Sequence, residues 1–227
     1  MIGILDSGVG GLSIYHEVKR LYPEAGVIYL ADKANFPYGE KTEKELLVIV
    51  RAAVSTLIGT GATVIIIACN SATVSTISHL REEFQIPIIG IEPAVKQAEK
   101  VTKNGKIGVL ATKRTVEQHG ANDKLLKVHN AELVSRIEYN QSGITDEELR
   151  AAIKPFSTFG ADTVVLGCTH YSFIQDRLAR LYPEITFLEP TEAVVSRLMM
   201  VMDENNLDIT QGDDIFLGID EADARKI

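Results

Sequence analysis

Gly61-Ala62-Thr63-Val64-Ile65-Ile66-Ile67-Ala68-Cys69-Asn70-Ser71 and Gly160-Ala161-Asp162-Thr163-Val164-Val165-Leu166-Gly167-Cys168-Thr169-His170 follow one pattern. Each begins with a Gly-Ala pair, runs through a short unbroken apolar stretch and reaches a cysteine followed by polar residues. An apolar run of this length without alternation is what a strand covered by helices on both faces requires. The copies keep register, since 168 − 69 and 160 − 61 are both 99. Glu92-Pro93 and Glu189-Pro190 follow the two units at nearly the same offset, and Gly3-Ile4-Leu5-Asp6 has a counterpart in Gly108-Val109-Leu110-Ala111. Helix–turn–strand units look alike in all α/β proteins. Cysteine at equivalent strand ends is the less accidental feature, and the chain reads as an internal duplication.

Outward from these two stretches, apolar runs predict strands over 2–5, 27–30, 64–68, 86–91, 107–110, 163–167 and 185–188. Helical patterns fill the gaps over 12–21, 43–58, 72–84, 94–102, 116–126, 146–157 and 173–181. Strict alternation of this kind marks an α/β protein with parallel sheets. With duplication, it predicts two similar lobes related by a pseudo-twofold. The carboxyl ends of both sheets would then converge on one cleft, where open α/β sheets bind ligands. The Glu-Pro dipeptides suit the crossings between lobes, proline fixing the local path. This divides the chain into a first lobe of 1–92 with a returning segment 190–227, and a second lobe of 93–189.

Composition bounds the function. A chain of 227 residues with 45% hydrophobic content can bury one sizeable core or two small ones. Its apolar runs are far shorter than the roughly 20 residues that cross a bilayer. The start, Ile2-Gly3-Ile4-Leu5, lacks the basic opening and cleavage site of a secretory signal, so a cytoplasmic location is expected. Two distant cysteines without a CxxC or paired-histidine pattern read as free thiols rather than a disulfide framework or a metal site. A net charge of −8 argues against nucleic acid or an anionic membrane as partner.

Four motifs could carry chemistry. The first strand runs into Asp6-Ser7-Gly8-Val9-Gly10-Gly11-Leu12, a glycine-rich turn whose N–H groups, at a helix start, suit a carboxylate or phosphate. A nucleotide loop competes, but no Gly-Lys-Ser/Thr ending follows, the spacing is not GxGxxG, and Asp6 would repel phosphate. The stretch from Asp32 through Asn35, Pro37, Tyr38, Gly39 and Lys41 is either an ordinary turn or a rim offering the Tyr38 hydroxyl and backbone amides to a ligand. Segments 68–72 and 167–171 each put a thiol at a strand end just ahead of a helix. A helix N-terminus so placed lowers a thiol pKa from about 8.5 toward neutrality. The alternative, a buried cysteine acting as a small hydrophobe, fits poorly with the hydroxyl and amide side chains that follow. His170 is either a satisfied structural histidine or a proton donor beside Cys168. The histidines at 16, 79, 119 and 129 have no partner motif and read as surface residues.

Taken together and in order, DSGVGGLSI, the NFPYGEK stretch after Asp32, ACNSA, GVLAT with Thr112 and Thr115, and GCTHY resemble the glutamate racemase branch of the aspartate/glutamate racemase family. The likeness spans residues 1 to about 190. It implies two similar α/β lobes, a catalytic pair in Cys69 and Cys168, no cofactor, no metal and a homodimer. It also implies a D-amino acid product of the kind used in cell walls. By the same resemblance Asp6 and His170 stand beside the two cysteines, and Ser7, Pro37, Tyr38, Gly39, Asn70, Ser71, Thr112, Thr115 and Thr169 hold the substrate. The chain departs from the family pattern at Ser71, where threonine is usual, and at Ser172, where proline usually follows the tyrosine. Between Thr115 and Gly160 it lacks a Cys-Pro segment ending in a functional glutamate; Glu138, within AELVSRIEYNQSG, is the candidate replacement. The tail after Glu189 is short for the family.

Racemisation requires a proton to leave one face of the α-carbon and another to arrive on the opposite face. Two thiols on facing lobes meet that need, one as thiolate base and one as thiol acid, with roles exchanged for the other enantiomer. Without a cofactor as electron sink, amides and hydroxyls in a water-poor cleft must stabilise the developing carbanion. Such donors also let an acidic protein bind a small acidic amino acid. Glutamate is the expected substrate; aspartate racemisation by the same fold and mechanism is the alternative. A cysteine hydrolase built on Cys168 and His170 would leave Cys69 idle and join residues that seldom meet as nucleophile and base. A non-catalytic amino-acid-binding homologue would have no reason to keep both cysteines, Asp6 and His170.

Overall fold

A computed structural model describes residues 1–118, 123–209 and 211–225. In chain order the elements are β1 (Ile2–Asp6), α1 (Leu12–Leu21), β2 (Val27–Ala31), α2 (Glu43–Thr60), β3 (Val64–Ile67), α3 (Asn70–Glu83), β4 (Ile88–Gly90), α4 (Val95–Val101), β5 (Ile107–Ala111) and α5 (Lys113–Gln118). They continue with β6 (Leu125–His129), α6 (Ala131–Asn140), α7 (Asp146–Phe159), β7 (Thr163–Gly167), α8 (Gln175–Leu181), β8 (Thr186–Leu188), α9 (Thr191–Glu204), β9 (Ile215–Leu217) and α10 (Glu221–Ala224).

Two parallel sheets result. One has the order β4-β3-β1-β2-β9 and the other, read from its far edge, β8-β7-β5-β6. The second therefore repeats the first four strands of the other: β5 matches β1, β6 matches β2, β7 matches β3 and β8 matches β4. The two cysteines follow β3 and β7, which flank the inner strands β1 and β5 on the same side. Only β9, paired with β2 through Ile28 and Ile215, has no counterpart among the described residues.

The repeated Gly-Ala pair has a physical cause. Gly61 and Gly160 take positive φ angles, 111° and 79°, and end α2 and α7 in left-handed caps. In both, the following alanine N–H turns back to a carbonyl five residues earlier, Ala62 to Leu57 and Ala161 to Phe156, each at 3.0 Å. Glycine reaches this geometry without a Cβ penalty. Both helices also begin with the same reciprocal cap, Thr42 with Glu45 and Thr145 with Glu148. Each helix is thus started and stopped alike and delivers the chain into a cysteine-bearing strand.

Alternate strand residues face opposite layers, as the pleat requires. Ile4 and Ile66 join one core with Leu12 and Val195, while Leu5, Ile65 and Ile67 join another with Val50 and Leu57. In the second sheet Leu110 and Leu166 pack with Phe156, and Val109 and Val165 with Ala98.

Three expectations change. Of the helix predicted over 116–126, α5 (Lys113–Gln118) covers the first part, residues 119–122 lie outside the described residues, and Leu125 and Leu126 open β6 instead. That strand is a half-buried edge, and five residues with one apolar side are too few to separate the two periods. Helix α6 occupies a stretch where no element is expected; it starts at a local cap, Asn130 Oδ1 accepting from Leu133 N at 2.9 Å, and buries Leu133, Val134 and Ile137. His16 is half-buried, its Nε2 3.1 Å from the Ala224 carbonyl oxygen. His79 and His129 are exposed as expected, and His119 lies outside the described residues. Among the described residues no helix is long and apolar enough to cross a membrane.

Candidate active site

The carboxyl ends of β1, β3, β5 and β7 deliver Ser7, Cys69, Thr112 and Cys168 to one cavity, which holds ≈ 380 Å³ of space outside atoms. Pro37, Tyr38, Gly39, Ser71, Thr169 and His170 complete the expected lining. Phe36, Glu40, Ala131 and Val134 also line it; the last two come from α6, which the sequence did not reveal.

Three expected site residues stand behind the wall. Asp6 is fully buried and accepts from Gly8 N at 2.9 Å and Thr169 Oγ1 at 3.3 Å, so it braces the glycine turn against the second lobe. Thr115 Oγ1 accepts from Thr112 Oγ1 at 3.1 Å, and Thr112 Oγ1 lies 2.8 Å from Ser71 Oγ, a hydroxyl chain between lobes. Asn70 directs its Nδ2 to the Ile91 carbonyl at 3.5 Å, and its buried Oδ1 has no protein partner. The Tyr38 hydroxyl is not free for a ligand, because it donates to Asp32 Oδ2 at 2.6 Å; it shapes the loop rather than forming a hydrogen-bonding rim.

The thiols sit in unlike surroundings. Cys69 is the N-cap of α3 and its Sγ donates to Ser7 Oγ at 3.9 Å. Burial, and then the nearby Asp6 carboxylate, push this thiol up, and the Ala72 N–H at the helix start is outweighed. The lowering expected from the helix N-terminus is therefore overturned at Cys69, because desolvation of a thiolate exceeds one turn of helix dipole.

Cys168 has a different neighbour. Its Sγ lies 3.7 Å from His170 Nδ1, and His170 Nε2 lies 2.8 Å from Glu138 Oε2. The same oxygen accepts from Val9 N at 2.8 Å. Burial alone would strip His170 of its proton, but hydrogen bonds to Cys168 and Glu138 prevail and its pKa is pushed up to about 10. His170 is thus an imidazolium at neutral pH, able to donate toward Cys168. Asp6 is pushed up by burial, against the pull of the His170 charge and the Gly8 N–H.

The glycines explain how closely the lobes approach. A Cβ on Gly8 would overlap the Glu138 carboxylate, and one on Gly10 would overlap Thr169 and sit 2.7 Å from His170 Nδ1. Bare backbone is what lets the first lobe's turn press on the second lobe.

Comparisons with known proteins agree with this geometry. A family model described as Asp/Glu/Hydantoin racemase matches residues 2–198. The chain is 36% identical over 209 residues to a glutamate racemase of Deinococcus radiodurans, covering 86% of this chain and 72% of that one. It is 36% identical over 225 residues to one from Stutzerimonas stutzeri, covering 93% and 85%. The fold is similar to the crystal structure of Escherichia coli glutamate racemase in complex with L-glutamate and an activator. That match has a TM-score of 0.84 and 29% identity, covering 97% of this chain and 90% of that one.

Proposed function

Because this chain belongs to the Asp/Glu/hydantoin racemase family, we propose that it interconverts L- and D-glutamate, with Cys69 and Cys168 handling the α-proton from opposite faces. The observation that carries this reading is that two thiols, from matching strand ends of two sheets, open into one cavity. The substrate α-carbon lies between them, one sulfur removing a proton as the other delivers one. His170, charged through Glu138, donates toward Cys168. Asp6 acts from behind, holding the Gly8 N–H and the Thr169 hydroxyl. Ser7, Ser71, Thr112 and Thr169 supply hydroxyls that hold the carboxylates and stabilise the carbanion without a cofactor. The same reading divides the chain at 92/93 and 189/190, pairs two copies as a homodimer and places them in the cytoplasm.

Glutamate is favoured over aspartate by the names of the relatives and by the L-glutamate in the similar Escherichia coli structure. Ala131 and Val134, from the segment that departs from the family pattern, also line the cavity. One methylene is worth only about 1–3 kcal/mol in an apolar pocket, a factor of roughly 10–200. Comparing kcat/KM for L-glutamate and L-aspartate by circular dichroism is expected to favour glutamate by about tenfold or more. A tenfold preference for aspartate would overturn the substrate assignment and leave the chemistry standing. Turnover of neither would overturn the reading itself.

A further inference from the structure

Tyr29 lies in the middle of β2, with no exposed surface, among Ile4, Leu12, Val27 and Ile66. A phenylalanine ring would fill that space equally well, so the hydroxyl needs a separate reason. Burying a hydroxyl is unfavourable unless it is hydrogen-bonded. Here it donates to the Gly8 carbonyl oxygen at 2.9 Å.

That carbonyl belongs to the peptide whose N–H, on Val9, donates to Glu138 Oε2 at 2.8 Å. Glu138 Oε2 also receives His170 Nε2 at 2.8 Å, and His170 Nδ1 faces Cys168 Sγ at 3.7 Å. The Gly8–Val9 peptide is therefore held at both ends. From these contacts we infer that Tyr29 is a positioning residue for Cys168, acting across the cleft through the Gly8–Val9 peptide, Glu138 and His170. Chained hydrogen bonds polarise one another in a low-dielectric interior, so fixing the carbonyl strengthens the N–H that holds Glu138. Val9 anchors its side of the peptide in the core, glycine at position 8 brings no Cβ to the other, and the tyrosine restrains that glycine side.

The ring is itself held. Tyr15 meets it edge-on at 6.4 Å between centroids, and Phe216, from β9, lies at 6.5 Å. Asp214, just ahead of β9, accepts from Tyr15 OH at 2.8 Å and Val27 N at 3.1 Å. The strand without a counterpart in the second sheet thus packs against the tyrosine that reaches the glycine turn. Burial, and then the charges of Asp6, Glu138 and Cys69, push the Tyr29 hydroxyl up, so it remains a donor. The charged and titratable groups facing His170 are Cys168 beside it, Glu138 from α6 and Asp6 from β1.

This inference rests on the racemase reading, and its test includes a readout that needs no turnover. Tyr29→Phe is expected to lower kcat about tenfold, the scale of one hydrogen bond in a charged network, with KM within about twofold. The His170 titration, followed by NMR, should move to lower pH in the variant, and so should the alkaline limb of the kcat profile. Tyr15→Phe, which removes a hydroxyl from the same aromatic group but not from the relay, should lower Tm without either change. In the background of Glu138→Gln, adding Tyr29→Phe should cost less than about a further twofold, because the relay is already broken. Wild-type kcat and an unmoved His170 titration in Tyr29→Phe would overturn the inference, as would losses that multiply in the double variant. If Tyr29→Phe fails to fold, Phe216→Ala, which frees the ring but keeps the hydroxyl, should shift His170 in the same direction; no shift would overturn it. Absence of turnover in the wild type, with the NMR shift intact, would sink the racemase reading instead.

Discussion

Replacing either cysteine with alanine is expected to abolish racemisation in both directions, with kcat falling by about 10³-fold or more, the scale of a lost general acid or base. Each variant keeps one thiol, yet each direction of the reaction needs both, one to take a proton and one to give it. The fold should survive. Cys69 and Cys168 are small side chains at strand ends with 7% residual exposure, not large core anchors such as Tyr171 or Phe156. Circular dichroism of the purified variants should match wild type while polarimetry of L-glutamate shows no change. Either variant retaining activity within tenfold of wild type would mean that a single thiol suffices.

Removing the Glu138 carboxylate is the second large effect. In Glu138→Ala the Val9 N–H and His170 Nε2 both lose their partner in a site where the ion pair's side chains are 1–2% exposed. Leaving two buried donors unsatisfied should cost about 2–4 kcal/mol near pH 6, and loss of the charged His170 should lower kcat about 100-fold. The pH dependence has a definite sign. His170 has its pKa raised from 6.5 to about 10 in the folded state. The stability this contributes is complete below about pH 6.5 and is lost as pH rises through about 10. Wild-type stability should thus decline across that window, and the gap between wild type and Glu138→Ala should narrow from pH 6 to pH 10 in urea unfolding. An equal gap at both values would show that the ion pair is not its source.

Much of this was legible in the sequence because the duplication leaves marks that local physics enforces. The Gly-Ala pairs are helix stops that only glycine reaches easily, and the apolar runs behind Cys69 and Cys168 are inner strands covered on both faces. The glycine turn could be read as well, since its open backbone is a property of residue type. What stayed hidden depends on tertiary contact. Glu138 could be named as a candidate replacement but not paired with His170, which lies 32 positions further on with no motif joining them. The state of Cys69 was misjudged for a related reason: a helix N-terminus is visible in sequence, while the burial and the Asp6 charge that outweigh it are not. Tyr38 read as a ligand donor because its Asp32 partner lies in the same loop, where either role is open. The returning tail was placed in the first lobe without its elements, since β9 is a three-residue edge strand fixed by Asp214 and Phe216 rather than by its own pattern.

The central claim, that two thiols serve opposite faces of the α-carbon, is tested most directly by racemising L-glutamate in D₂O and following Cα labelling in each enantiomer by NMR and mass spectrometry. At early conversion the D-glutamate formed should carry deuterium at Cα from the first turnover, while the remaining L-glutamate stays unlabelled, and the reverse reaction should mirror this. The proton taken by one sulfur cannot return on the other face, where the second sulfur delivers solvent label. A product that retains the substrate's own proton, or label entering substrate as fast as product, would contradict the account, because either result describes a single base working on both faces.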